Sequence, residues 1–182
     1  MSAAFSLAQL RESLWTRQGA RVHALIDGSV VPGLAEKLKG AELAGWDCLR
    51  RGALSAEAAG QAAYLAELKD ASPFTGWLLE EATTTYPGWG ILTVSTRPML
   101  PMREHFRGLG EVITPGGDRR AWRWYDPEVL LTLLPTMLAA QLDEVFACEQ
   151  AMVIPAPDAW TWLSLQDGVL SADRRPLMQT VR

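Results

Sequence analysis

Two hydrophobic periodicities alternate along the first half of the chain. Short apolar runs closed by turn residues predict buried strands. Apolar residues that recur every three to four positions, or a helix-prone composition, predict helices. The predicted strands are residues 21–26, 46–49 and 89–95. The predicted helices are residues 4–15, 33–39, 55–69 and 74–83.

The second half of the chain changes from helices to hairpins. Helices are predicted at residues 102–109, 128–134 and 135–146, and strands at 111–114, 121–125, 151–154, 160–165 and 169–170. Residues 115–118 are predicted to form a hairpin turn, and Asp167-Gly168 another. Residues 174–176 are expected to form a loosely attached tail. This order predicts an α/β fold with a mixed sheet, flanking helices and a C-terminal β-meander.

Composition limits the classes of partner. The chain has 182 residues, of which 48% are hydrophobic, which suits one compact domain or two closely packed lobes. Its formal net charge of −4 lacks the basic surface that nucleic acid requires, so no nucleic-acid partner is expected.

The same residues indicate a compartment. The chain has no apolar run of about 20 residues, so no membrane partner is expected. The N-terminal residues lack a basic segment and include Glu12, unlike a signal peptide. Cys48 and Cys148 do not form a disulfide framework. We therefore expect a cytoplasmic protein.

The sequence carries few groups for catalysis. His23 lies within the first predicted strand and is interpreted as a core histidine satisfied by one hydrogen bond. His105 lies on a predicted helix and lacks the i+3 or i+4 partner of a zinc site. The nucleophile elbow, the phosphate-binding loop and the dinucleotide-binding glycine motif are also missing from the sequence. We expect no enzymatic activity, no cofactor and no bound metal.

One catalytic alternative stays open. A small hydrolase or transferase would need an unrecognised site, and the residues available for it are His105, Asp126 and Asp27.

Tryptophan pairs suggest either a large core or a binding surface. Trp122 and Trp124 stand two apart in one predicted strand, as do Trp160 and Trp162 in another. Alternate strand residues share a face of the sheet. Each pair can therefore fill the core, or one pair can face a partner as a binding anchor.

Several segments resemble, in the same order, the family called domain of unknown function 4123. The most specific is the Arg-Trp-Tyr-Asp-Pro-Glu-Val-Leu segment at residues 123–130. Weaker similarities lie at residues 22–28, 64–65, 89–91 and 105–107. We expect a single adaptor domain over residues 1–182. The resemblance covers its core at about residues 20–147, and residues 148–182 are a C-terminal extension. Ala63, Phe106 and Glu128 depart from the family pattern.

The resemblance implies a cytoplasmic adaptor or chaperone of type VI secretion. Such a protein binds a toxic effector and assists its loading onto the VgrG spike or the PAAR tip. The residues that match the family motifs are interpreted as structural: Asp27, Gly28, His105, Arg107, Arg123, Tyr125, Asp126 and Pro127.

Two structural roles and one binding role follow as hypotheses. Asp126 and Pro127 are placed to cap and begin a helix. Arg123 can pair with a carboxylate, and Asp27 is one candidate. Residues 151–170 fall outside the clearest resemblance, so we expect them to carry part of the effector-binding surface, with Trp160 or Trp162 as an anchor.

Overall fold

A seven-stranded sheet forms the centre of the molecule. The computed structural model describes residues 4–113 and 116–178. The strands of the sheet are β1 (Arg21–Asp27), β2 (Gly45–Cys48), β3 (Ala63–Leu68), β4 (Gly90–Ser95), β7 (Ala151–Pro155), β8 (Ala159–Gln166) and β9 (Val169–Pro176). A separate small hairpin consists of β5 (Glu111–Ile113) and β6 (Arg119–Ala121).

Helices occupy the connections between the strands. They are α1 (Leu7–Leu14), α2 (Leu34–Lys39), α3 (Ala56–Gly60), α4 (Pro73–Trp77), α5 (Thr83–Thr85), α6 (Met99–Leu109), α7 (Pro127–Leu133) and α8 (Ala139–Val145). A π-helical turn (Leu78–Ala82) joins α4 to α5, and a 3₁₀ turn (Leu134–Thr136) follows α7.

The strand order is β2-β3-β1-β4-β7-β8-β9. All neighbouring strands in it pair antiparallel. An isolated parallel bridge, which lies outside the named strands, joins Phe5 to Leu177. The predicted α/β fold with flanking helices and a closing meander is confirmed.

Alternation along the strands gives the sheet two apolar faces. One face packs on α1, α2 and the helix that begins with α4. Its fully buried residues include Leu10, Leu34, Leu78, Leu92 and Trp160.

The opposite face packs on α6, α7 and α8. Its buried residues include Leu25, Ile91, Phe106, Trp124 and Leu142. The molecule therefore has three layers, with the sheet between two layers of helices.

Local sequence explains where several helices begin. The side chains of Ser6, Ser55 and Ser72 accept hydrogen bonds from backbone N–H groups in the first turns of α1, α3 and α4. Such acceptors satisfy donors that an isolated helix end leaves unpaired. Asp126 does the same at α7, where Pro127 occupies the first turn.

Three predicted elements are wrong. Residues 55–69 contain the short helix α3 and then β3, because residues 63–68 pair with β1 on one side and β2 on the other. Tertiary pairing outweighs the helix propensity of the alanines there. The strand predicted at 121–125 ends at Ala121, so Trp122 and Trp124 follow it in a loop.

The third wrong prediction is the loose tail. Arg174, Arg175 and Pro176 belong to β9, where they pair with Thr161, Trp160 and Ala159 respectively. The turn between β8 and β9 forms at Asp167 and Gly168 as predicted, and both have positive φ angles. Of the predicted hairpin segment, Thr114 and Pro115 lie outside the described residues.

No helix in the described ranges is long and apolar enough to cross a membrane.

Candidate functional site

A cleft of about 620 Å³ opens where β1 ends, and several motif residues line it. Its lining comes from the end of β1, the segment that follows β2, the start of β3, the end of α6 and the segment before α7. The lining residues are Asp27, Ser29, Leu49, Arg50, Arg51, Leu54, Gln61, Ala63, Phe106, Arg107, Gly110, Glu111, Trp122, Arg123, Trp124 and Tyr125.

Asp27 lines the cleft, and its side chain is only 3% exposed. One carboxylate oxygen, Oδ1, accepts hydrogen bonds from the Ser29 backbone N–H at 2.8 Å and from the Ser29 hydroxyl at 2.6 Å. The other, Oδ2, accepts a hydrogen bond from Nη2 of Arg123. The predicted pairing of Arg123 with Asp27 is confirmed. Every oxygen of this buried carboxylate thus has a partner, as burial of a charge requires.

Position 28 requires glycine because the backbone there passes close to the backbone of residues 60 and 62. Its N–H donates to the carbonyl of Ala62 at 2.9 Å. A Cβ at this position would lie 2.5 Å from the Ala62 oxygen and 2.8 Å from the Gly60 oxygen. Only glycine fits without a backbone shift, so this motif residue has a steric role.

Asp126 and Pro127 connect the cleft to α7. Oδ1 of Asp126 accepts hydrogen bonds from the backbone N–H groups of Glu128 at 3.0 Å and Val129 at 3.4 Å. Asp126 is the N-cap as predicted, and Pro127 is in the first turn. Oδ2 of Asp126 lies 3.6 Å from Nη2 of Arg123. The same guanidinium therefore holds Asp27 and Asp126 together.

Arg107 fixes the segment that follows β2. Its guanidinium donates to the carbonyls of Leu49 at 3.2 Å and Cys48 at 2.7 Å, and to Oε1 of Glu104 at 3.2 Å. The side chain is only 11% exposed. The two hydrogen bonds to Leu49 and Cys48 join α6 to the segment that carries Arg50, and so shape one wall of the cleft, whereas the bond to Glu104 lies within α6.

Tyr125 is partly buried among charged groups. Burial and the nearby Asp27 carboxylate raise the pKa of its hydroxyl, whereas Arg123 and Arg50 act in the opposite direction. Arg50 is exposed, and within the described residues its side chain makes no ion pair. The charges of Arg50 and Arg123 therefore both act on the Tyr125 hydroxyl at the cleft.

Comparison with known families assigns the chain to one of them. The family described as Domain of unknown function (DUF4123) matches residues 22–144, which is more than half of the chain. The chain belongs to this family. No curated protein and no solved structure matches the chain. The matched DUF4123 region includes every element that lines the cleft.

His105 is a motif residue of this DUF4123 chain that does not line the cleft. Its Nε2 atom is 3.1 Å from the carbonyl of Val145 and 3.2 Å from Oε1 of Glu149. Burial lowers the pKa of His105, but the nearby Glu149 carboxylate, the Val145 carbonyl and Glu144 together more than offset this and raise it. Burial also raises the pKa of Glu149.

The three residues of the catalytic alternative are therefore not assembled at one place. Asp27 and Asp126 meet at Arg123, whereas His105 contacts Val145 and Glu149 and is not part of the cleft lining. Among the described residues, no group of three or more His, Cys, Asp or Glu side chains is arranged to hold a metal ion.

The two tryptophans of β8 differ in exposure. Trp160 is fully buried on the face of the sheet that carries α1, so it is a core residue and its ring offers no surface to a partner. Trp162, two residues later, is partly exposed, and the guanidinium of Arg175 lies 4.3 Å from its ring centroid.

Near the cleft, Trp124 is buried against Phe106, with ring centroids 5.0 Å apart. The indole N–H of Trp122 donates to the carbonyl of Leu109, and its ring lines the cleft. The predicted pair shares one apolar cluster although it does not lie in a strand.

His23 is buried as predicted, but not as a hydrogen-bonded residue. Neither ring nitrogen has a hydrogen-bond partner among the described residues, and Oε2 of Glu67 lies 3.6 Å from Nε2. Burial lowers the pKa of His23 to about 4, with Glu67 opposing the shift and Arg21 adding to it.

Sequence reasoning missed Arg50, Arg51 and the other residues that follow β2. The available signal was two adjacent arginines immediately after a short strand, ahead of the turn glycine Gly52. A strand end of this kind places polar side chains at the edge of a sheet, where clefts form.

Proposed function

We propose that this chain is a cytoplasmic adaptor that binds a type VI secretion effector and assists its loading onto the VgrG spike or the PAAR tip. The resemblance of its motifs to adaptor proteins of this kind supports the proposal. The geometry of the cleft gives further support.

The observation that carries the proposal is how the carboxylates of the motif are used. Asp27 is neutralised by Arg123, and Asp126 caps α7. Both carboxylates already have partners within the protein, and these contacts hold the walls of the cleft in place. A fixed concave surface with aromatic and guanidinium groups suits recognition of a protein partner, in which Trp, Tyr and Arg contribute most of the binding energy.

Co-purification tests the proposal directly. The tagged chain is expressed together with the products of its neighbouring genes, and the proteins it retains are identified by mass spectrometry. The expected result is stoichiometric recovery of one toxin. Deleting the adaptor gene should then abolish secretion of that toxin while other secreted effectors continue to appear in the medium. Normal secretion of every effector in the deletion strain contradicts the proposal.

A further inference from the structure

We infer that the cleft binds an acidic segment of the effector, and that Arg50 and Arg123 bind its carboxylate. The inference rests on the proposed function and adds to it the location of the binding site and the chemistry of the bound segment.

The ion pairs at the cleft leave one of its arginines without a carboxylate partner among the described residues. Four arginines line the cleft, and three of them pair with the carboxylates of Asp27, Asp126 or Glu104. The lining carboxylate of Glu111 pairs with Arg119. Arg50 is therefore the cation at the cleft that no ion pair offsets among the described residues, and complementary charge is what selects and orients a partner.

Two of the four arginines are committed elsewhere. Arg107 hydrogen-bonds to two backbone carbonyls and to Glu104, and Arg51 pairs with Glu104 at 2.9 Å. These contacts build the cleft wall and leave little capacity for a ligand.

The other two arginines have unused donors. Arg50 is exposed and makes no ion pair within residues 4–113 and 116–178. Arg123 is 52% exposed, and both of its ion pairs use Nη2, so in the same ranges Nη1 and Nε have no ion-pair partner. Because Asp27 and Asp126 already hold the Arg123 guanidinium, a carboxylate can bind it with little loss of side-chain entropy.

Aromatic groups beside these arginines define the rest of the bound segment. Trp122 has its indole N–H tied to Leu109, and its ring is held at the cleft wall. The charges of Arg50 and Arg123 both act to lower the pKa of the Tyr125 hydroxyl. A volume of about 620 Å³ holds a few side chains. The expected ligand has an Asp or Glu next to an apolar or aromatic residue.

A peptide fits these features better than nucleic acid. Nucleic acid requires several cations spread along a surface, because each phosphate contact adds to the affinity. In this cleft, two arginines with free donors lie beside aromatic rings, which matches one carboxylate and its apolar neighbour.

The test uses a library of random peptides selected on the purified full chain. The expected result is enrichment of Asp or Glu beside an apolar residue. Arg50→Glu should weaken binding of the selected peptides by about tenfold or more, since a charge-assisted hydrogen bond is replaced by repulsion. Arg97→Glu is the matched control, because Arg97 is exposed and follows β4 at the opposite end of the sheet. It should change binding by less than about twofold.

Four outcomes overturn the inference. They are selected peptides without acidic enrichment, equal effects of Arg50→Glu and Arg97→Glu, displacement of the peptides by inorganic phosphate but not by sodium chloride of equal ionic strength, and binding of single-stranded DNA that Arg50→Glu abolishes. The phosphate outcome would identify a site for free anions, and the DNA outcome a site for nucleic acid.

The same variants separate this inference from the proposed function. If the effector co-purifies equally well with wild type and with Arg50→Glu, the adaptor role stands and the cleft is not its binding site. If acidic peptides bind in an Arg50-dependent way but deletion of the gene leaves all effectors secreted, the cleft inference stands and the adaptor role is wrong.

Discussion

Asp27 and Arg123 are 96 positions apart in the sequence, and their side chains form an ion pair at the edge of the cleft. Asp27 is 3% exposed and Arg123 is 52% exposed, so the pair connects the interior of the molecule to its surface. It joins the end of the central strand β1 to the segment that precedes α7.

Arg123→Ala should lower the free energy of unfolding by about 1–3 kcal/mol, because it leaves the buried Asp27 carboxylate with one oxygen unpaired. Urea denaturation measures the change. The matched control is Arg119→Ala, which removes an exposed pair with Glu111 and should cost less than about 0.5 kcal/mol. Equal losses for the two variants would show that the Asp27 pair contributes no more than a surface contact.

Asp126→Ala should destabilise the fold by roughly 1 kcal/mol or more through loss of the α7 N-cap. Asp126→Ser keeps a side-chain acceptor for the first turn of the helix and should recover much of the loss. Thermal melting of both variants provides the measurement. An unchanged melting temperature for Asp126→Ala contradicts the capping role.

Stability should fall as the pH is lowered from about 6.5 to about 4 because His23 is buried in its neutral form. Burial lowers the pKa of His23 to about 4, against 6.5 for the unperturbed side chain. In that interval the unfolded chain binds a proton that the folded chain does not, so protonation favours unfolding. The expected loss is roughly 1–3 kcal/mol.

His23→Leu isolates this effect from those of other groups. The difference in unfolding free energy between wild type and the variant should decrease as the pH falls through that interval. His105 acts in the opposite sense, because its pKa is raised and its contribution is largest at low pH. A difference that stays constant from pH 7 to pH 4.5 would mean that His23 has an ordinary pKa in the folded protein.

Trp160→Ala should cost about 3–5 kcal/mol, since a fully buried indole leaves a cavity that the sheet and α1 cannot close. Trp162→Ala should cost less because its ring is partly exposed. Melting and effector pull-down are measured for both. If Trp162→Ala stays folded and loses the effector, the β8 surface carries an anchor; full binding by the folded variant removes it from the interface.

Strands with strong local signals were predictable, and one with contrary local signals was not. The dense apolar and β-branched content of β4 and the Asp167-Gly168 turn of the meander identify those elements without tertiary information. The β3 sequence is rich in alanine and reads as a helix. It becomes a strand because β1 and β2 offer hydrogen-bond partners on both sides, which no local pattern encodes.

The residues of the candidate site also differ in how far the sequence could predict their roles. The Asp126 cap depends on adjacent residues and was predictable from the Asp-Pro order. The pairing of Asp27 with Arg123 was predictable only as one option, because any of several carboxylates can bind a guanidinium. Arg50 was missed, since the role of a surface residue depends on the segments that surround it in space.

The limits of the family match at residues 22 and 144 are not limits of a folding unit. Before them, Leu10 and Leu14 of α1 are completely buried, and beyond them β7 pairs with β4 at Leu92 and Val94. A fragment trimmed to the matched region would uncover apolar side chains and leave β4 with a bare edge, the kind of surface that seeds aggregation. Excised expression of that region should therefore give insoluble material, and domain grafts should carry the flanking helix and strands with it.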